Sequence, residues 1–66
     1  MNDIKCFKRL LRLKEDLERG EKGDACYFAS KLATSERTIF RLLNCLKDDY
    51  NMNIKFDRSS KSYYLD

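Results

Sequence analysis

Histidine is absent from this chain of 66 residues. The commonest general base is therefore missing, and so is every Cys/His zinc pattern. Cysteine is scarce and poorly arranged: Cys6, Cys26 and Cys45 are an odd, widely spaced set with no Cys-x-x-Cys pair. Such a set is neither a disulfide framework nor a good ligand cluster. The three thiols are expected to be reduced, metal-free and buried or half-buried as small apolar groups. The two glycines, Gly20 and Gly23, stand among charges and read as a connector. No Gly-x-x-x-x-Gly-Lys loop or Gly-x-Gly-x-x-Gly turn is present, which removes the usual phosphate-cradling and dinucleotide sites. No apolar run approaches the ~20 residues that span a bilayer. The opening Met1-Asn2-Asp3-Ile4-Lys5 lacks the apolar stretch of a secretory signal. These absences together predict a cytoplasmic protein that is not an enzyme, with no cofactor, no membrane partner and no small-molecule substrate.

What remains is a small, charged chain with periodic apolar residues. At this length one domain is expected, burying roughly 60% of the surface its unfolded form exposes. Net charge is +3, too small to decide anything by itself, but its distribution is uneven. Between residues 34 and 47, Arg37, Arg41 and Lys47 face Glu36 alone, and Arg58 and Lys61 flank a turn near the end. A localised basic face of this kind suffices for phosphate contact.

The apolar spacing predicts three helices and a hairpin. In a first helix over about 3–19, Ile4, Phe7 and Leu11, with Cys6, Leu10, Leu13 and Leu17, make a broad stripe. Lys5, Lys8, Arg9, Arg12, Glu15 and Asp16 fall largely off it. Asn2 or Asp3 can cap its start, and Gly20 suits the position after its end. Asp24 is placed to cap a second helix over about 25–33, with Phe28, Ala29 and Leu32 on its apolar face. Ser35 is placed to cap a third over about 36–50, whose buried stripe is Ile39, Leu42, Leu43, Leu46 and Tyr50. Glu36, Arg37, Phe40, Arg41, Asn44, Lys47 and Asp48 occupy its other side. The period then changes to two. Ile54-Lys55-Phe56-Asp57 and Ser62-Tyr63-Tyr64-Leu65 read as strands of a wing over about 54–65. A turn centred on Ser59-Ser60 pairs Phe56 with Tyr63 and Ile54 with Leu65, so that all four share one face able to cover the helices. The predicted fold class is mainly α with a small β-hairpin.

The run Phe28-Ala29-Ser30-Lys31-Leu32-Ala33-Thr34-Ser35-Glu36-Arg37-Thr38-Ile39-Phe40-Arg41-Leu42-Leu43 resembles the helix-turn-helix of DeoR-type and related winged-helix regulators, and the hairpin resembles their wing. Matching positions are the small Ala29, the apolar Leu32, Ile39 and Leu42, and Ser35 followed by Arg37-Thr38-Ile39. Two positions depart from the pattern. Ala33 stands where the family's turn carries glycine, at a cost of ~1–2 kcal/mol if the backbone there is left-handed. Thr34 stands where an apolar residue is usual.

The resemblance implies a winged helix-turn-helix whose third helix enters the major groove of double-stranded DNA. Arg37 would then pair with guanine, and Arg41 would reach bases or a phosphate. Ser35 and Thr38 would bond phosphate oxygens, Phe40 and Asn44 would lie on the contacting face, and Lys47 would touch the backbone. Arg58 and Lys61 would contact DNA from the wing tip. Each residue has a plainer role: Arg37 and Arg41 as a solvated helix face, Ser35 as a cap, Phe40 as packing, Arg58 and Lys61 as solubilising charges. Two functions stay open: a DNA-binding transcriptional regulator, and a winged-helix protein-interaction module without DNA binding. A homodimer through helix 1 is a further expectation, because its apolar stripe is wider than a three-helix core needs.

Overall fold

The computed structural model describes residues 2–66, with side chains from residue 7 onward. Ile4, Cys6 and the expected cap at Asn2 or Asp3 lie outside the described side chains. Among the described residues are helices α1 (Asn2–Glu18), α2 (Ala25–Lys31) and α3 (Glu36–Asp49), then strands β1 (Ile54–Asp57) and β2 (Ser62–Leu65). Three helices and a two-stranded antiparallel hairpin make a mainly helical fold with the winged-helix layout. The first two helices end one and two residues before the expected bounds, and α3 ends one residue before, with Tyr50 as its cap.

Helix α1 supplies Leu10, Leu13 and Leu17 to the core, all nearly inaccessible. It stops at Gly20 (φ 88°), whose N–H donates to Leu17 O while the Glu21 N–H donates to Asp16 O. This 5→2 and 6→1 pair is the Schellman closure that a left-handed glycine allows. Asp24 then caps α2, its carboxylate accepting the Tyr27 N–H at 2.7 Å. Phe28 and Ala29 turn inward from this short helix.

The turn between α2 and α3 repeats the Schellman closure with a less suitable residue. Ala33 takes φ 53°, its N–H donating to Ser30 O and the Thr34 N–H to Ala29 O. A left-handed alanine costs ~1–2 kcal/mol. Arg9 of α1 holds the turn, donating from Nε to Leu32 O and from Nη2 to Ala33 O, both at 3.3 Å. Helix α3 begins with Ser35 Oγ accepting the Thr38 N–H, and buries Ile39, Leu42, Leu43 and Leu46.

The hairpin has the expected register, Ile54 opposite Leu65 and Phe56 opposite Tyr63. Asp57 holds its turn, accepting the Ser59 N–H at 2.9 Å and the Ser60 hydroxyl at 3.1 Å. Those donors keep its carboxyl below the ordinary value, the Ser59 N–H most of all. Lys61 closes the turn at φ 52°. Gly23 also joins the wing: its carbonyl accepts the Tyr63 N–H at 2.8 Å as an isolated antiparallel bridge. It is more than a connector, because a Cβ there would lie 2.1 Å from Tyr27 Cδ2.

Several apolar side chains depart from expectation. Tyr50, Phe7, Leu11 and Phe56 are exposed rather than part of a buried stripe. Tyr50 follows the last helical residue. Phe7 and Leu11 lie on the shoulder of α1 away from Leu13 and Leu17. Phe56 keeps its ring on Tyr63, at the rim of the hairpin. Cys26 is exposed and Cys45 half-buried, and both are free thiols.

Asp16 moves the other way and is only 1% exposed. Its Oδ2 lies 3.3 Å from the Lys31 ammonium, misaligned for a hydrogen bond, and Arg12 Nε lies 3.9 Å from Oδ1. Lys31 also pairs with Glu21, which accepts the Tyr27 hydroxyl. These contacts lower the Glu21 carboxyl, through Lys31 first and Tyr27 second, and raise Lys31 through Glu21.

Candidate nucleic-acid interface

The buried stripe of α3 decides what its other side presents. With Ile39, Leu42, Leu43 and Leu46 facing inward, Arg37, Phe40, Arg41, Asn44 and Lys47 are all exposed. Arg37, Phe40, Arg41 and Asn44 follow i, i+3, i+4, i+7 spacing and so form one surface. Glu36 and Asp48 are exposed on the same helix and dilute its positive charge.

Ser35 is exposed but occupied as a cap, and its hydroxyl also meets Thr38 Oγ1 at 3.1 Å. Thr38 is half-buried. These two hydroxyls serve the helix start first, and a phosphate would have to share them. Arg58 and Lys61 are exposed at the wing tip.

The cations divide by their partners. Arg12 meets Asp16, Lys14 meets Glu18, Arg19 meets Glu15, Lys31 meets Asp16 and Glu21, and Lys55 meets Asp66. Among the described residues, no carboxylate lies within ion-pair distance of Arg37, Arg41, Lys47, Arg58 or Lys61, nor of Lys8 on α1 or Lys22, whose ammonium lies over the Tyr64 ring. An exposed cation without an internal partner keeps its charge available to an external anion.

Phe40 leans on the wing, its ring 6.3 Å from that of Tyr63 at 74°. Tyr63 in turn meets Phe56 at 4.9 Å. The pairing of Phe56 with Tyr63 was legible from the alternating strands, but the approach of Phe40 depends on how α3 packs against the hairpin. The chemistry on offer is anion binding beside hydrogen bonding and apolar contact. Among the described residues no group of three or more cysteine or carboxylate side chains is placed to hold a metal.

Comparison of the chain with protein-family models, curated proteins and solved structures finds no match.

Proposed function

We propose that this chain binds double-stranded DNA sequence-specifically as a transcriptional regulator, with α3 as recognition helix in the major groove and the β1–β2 hairpin as wing. The observation that carries this reading is the set of unpaired, exposed cations on α3 and the wing tip, set beside a region whose cations are mostly paired. Phosphates supply the missing counter-charges, and the exposed arginine and asparagine supply base-edge hydrogen bonds. The resemblance of residues 28–43 to DeoR-type regulators supports the same reading, and a cytoplasmic location belongs to the proposal. No helix of the described residues is long and apolar enough to cross a membrane.

A homodimer through α1 belongs to the proposal. A lone module of this size covers little DNA, and paired half-sites remedy that. Phe7 is 53% exposed and Leu11 39% exposed, one helical turn apart, so they offer an apolar contact for a second copy.

A protein-interaction module is the second reading, favoured by the exposed rings of Phe40 and Phe56 and by the exposed carboxylates of Glu36 and Asp48 on α3. Titration of a labelled random-sequence duplex over a salt series separates the two. Binding that weakens by about 0.9 log unit per log unit of salt, for each phosphate neutralised, supports the DNA reading. No binding even at low salt rejects it in favour of the protein partner. On a selected site, Arg37→Ala is expected to cost ~1–3 kcal/mol and to relax preference at one base pair.

A further inference from the structure

The seam between α3 and the wing places a large apolar ring among base-reading side chains. Phe40 is 45% exposed, although burying it elsewhere would be favourable. It is also held in place: its edge-on partner Tyr63 is backed by Phe56 and tied through its backbone N–H to Gly23 O. A ring fixed in this way loses little freedom when a ligand touches it.

Its neighbours on the same surface are Arg37 and Arg41, which match guanine or phosphate, and Asn44, which matches adenine. All three are hydrogen-bonding groups. Phe40 can bond none of the donors and acceptors in the major groove. One base-edge group there is apolar, the 5-methyl of thymine, and a phenylalanine is among the side chains that suit it.

We propose that Phe40 reads the 5-methyl group of a thymine in the major groove. The inference rests on the DNA reading above and adds a base to it: the preferred site carries a thymine close to the guanine met by Arg37. The occupant is DNA because unpaired cations flank the ring on its own helix, at Arg37 and Arg41. The neighbouring aromatics of the wing hold the ring and leave its outer edge for the methyl group.

The test alters the DNA before it alters the protein. A duplex is first selected from a random pool by the wild-type chain. Each thymine is then replaced in turn by deoxyuridine, which lacks only the methyl group. At one position wild-type affinity is expected to fall about four-fold, the equivalent of one methyl-sized apolar contact. Phe40→Ala is expected to bind the thymine and uracil duplexes equally, with Phe40→Leu as a second variant that keeps an apolar side chain and part of the discrimination. If no methyl matters to the wild type, or if Phe40→Ala discriminates as well as the wild type, the inference is overturned while DNA binding stands. If the wild type selects no duplex at all, the DNA reading fails and the inference falls with it.

Discussion

The junction of α1 with α2 and the surface formed by α3 and the wing use the same kinds of residue to opposite ends. At the junction, charge is turned inward. Asp16 is buried beside Lys31, Lys31 bridges onward to Glu21, and Arg9 spends its guanidinium on the carbonyls of Leu32 and Ala33. On the other surface Arg37, Arg41, Lys47, Arg58 and Lys61 point outward without such partners. Net charge cannot separate these two situations, because it counts a satisfied arginine and an available one alike. The partner of each cation is the more informative quantity.

The two regions share one floor, and damage there removes both. Leu46 lies in the core beneath both and is fully buried. Leu46→Ala is expected to cost ~2–5 kcal/mol, a large share of the stability of a domain this small. Thermal unfolding followed by circular dichroism measures it, and a loss under about 1 kcal/mol would contradict the assigned core.

A smaller and more selective effect separates the paired cations from one another. Lys31→Ala leaves Asp16 buried with only Arg12 nearby, and is expected to lower stability clearly. Arg12 remains and Lys31 is partly solvated, so the full cost of breaking a buried pair is not reached. Lys55→Ala removes an exposed pair with Asp66 and is expected to change stability much less. Equal losses in chemical denaturation would mean that burial of Asp16 carries no weight.

The turn between α2 and α3 gives an effect of the opposite sign. Ala33→Gly removes left-handed strain of ~1–2 kcal/mol, partly offset by the added freedom of glycine in the unfolded chain. A net gain of up to about 1 kcal/mol is expected from the same denaturant titration. A loss would show that the added freedom of glycine in the unfolded chain outweighs the strain relieved.

The smallest effects are titrations. Asp57 is lowered from its ordinary value of 3.8, so the charged carboxylate stabilises the wing turn above pH 3.8. That contribution disappears as pH falls through the folded value. The Ser59 amide signal in NMR is expected to titrate with a midpoint below 3.8, and a midpoint at or above it contradicts the turn. At the other end of the scale Lys31 is raised from 10.5, so its contribution is complete below that value and is lost as pH rises through the folded one. Alkali is thus expected to weaken the α1–α2 junction as Lys31 loses its charge, and the wing pair of Lys55 with Asp66 in the same way.

Local chemistry was legible in the sequence, and partners distant in the chain were not. The caps at Asp24 and Ser35 and the stop at Gly20 depend on neighbours within a turn. The register of Ile54 with Leu65 follows from a period of two on both strands. Asp16 looked solvated because its partner Lys31 lies on another helix. Gly23 looked like a connector because Tyr63, which it bridges, comes from the far end of the chain. Apolar spacing also marked Phe7, Leu11 and Tyr50 without showing where the core stops. For the candidate surface, the exposure of Arg37, Arg41, Asn44 and Lys47 follows from the buried stripe of α3. The contact of Phe40 with Tyr63 needs the packed structure.

The division between paired and unpaired cations meets its most direct test in a comparison of two single-charge variants. Arg19 is exposed just past the end of α1 with Glu15 as its partner, whereas Lys61 sits at the wing tip with none among the described residues. Each is changed to alanine, and duplex affinity is measured against salt concentration for both variants and the wild type. Lys61→Ala is expected to flatten the log–log salt slope by about one unit, the signature of one lost phosphate contact. Arg19→Ala is expected to leave the slope unchanged. Equal slopes for the two variants, or a flatter slope for Arg19→Ala alone, would contradict the assignment of the α3 and wing surface to DNA.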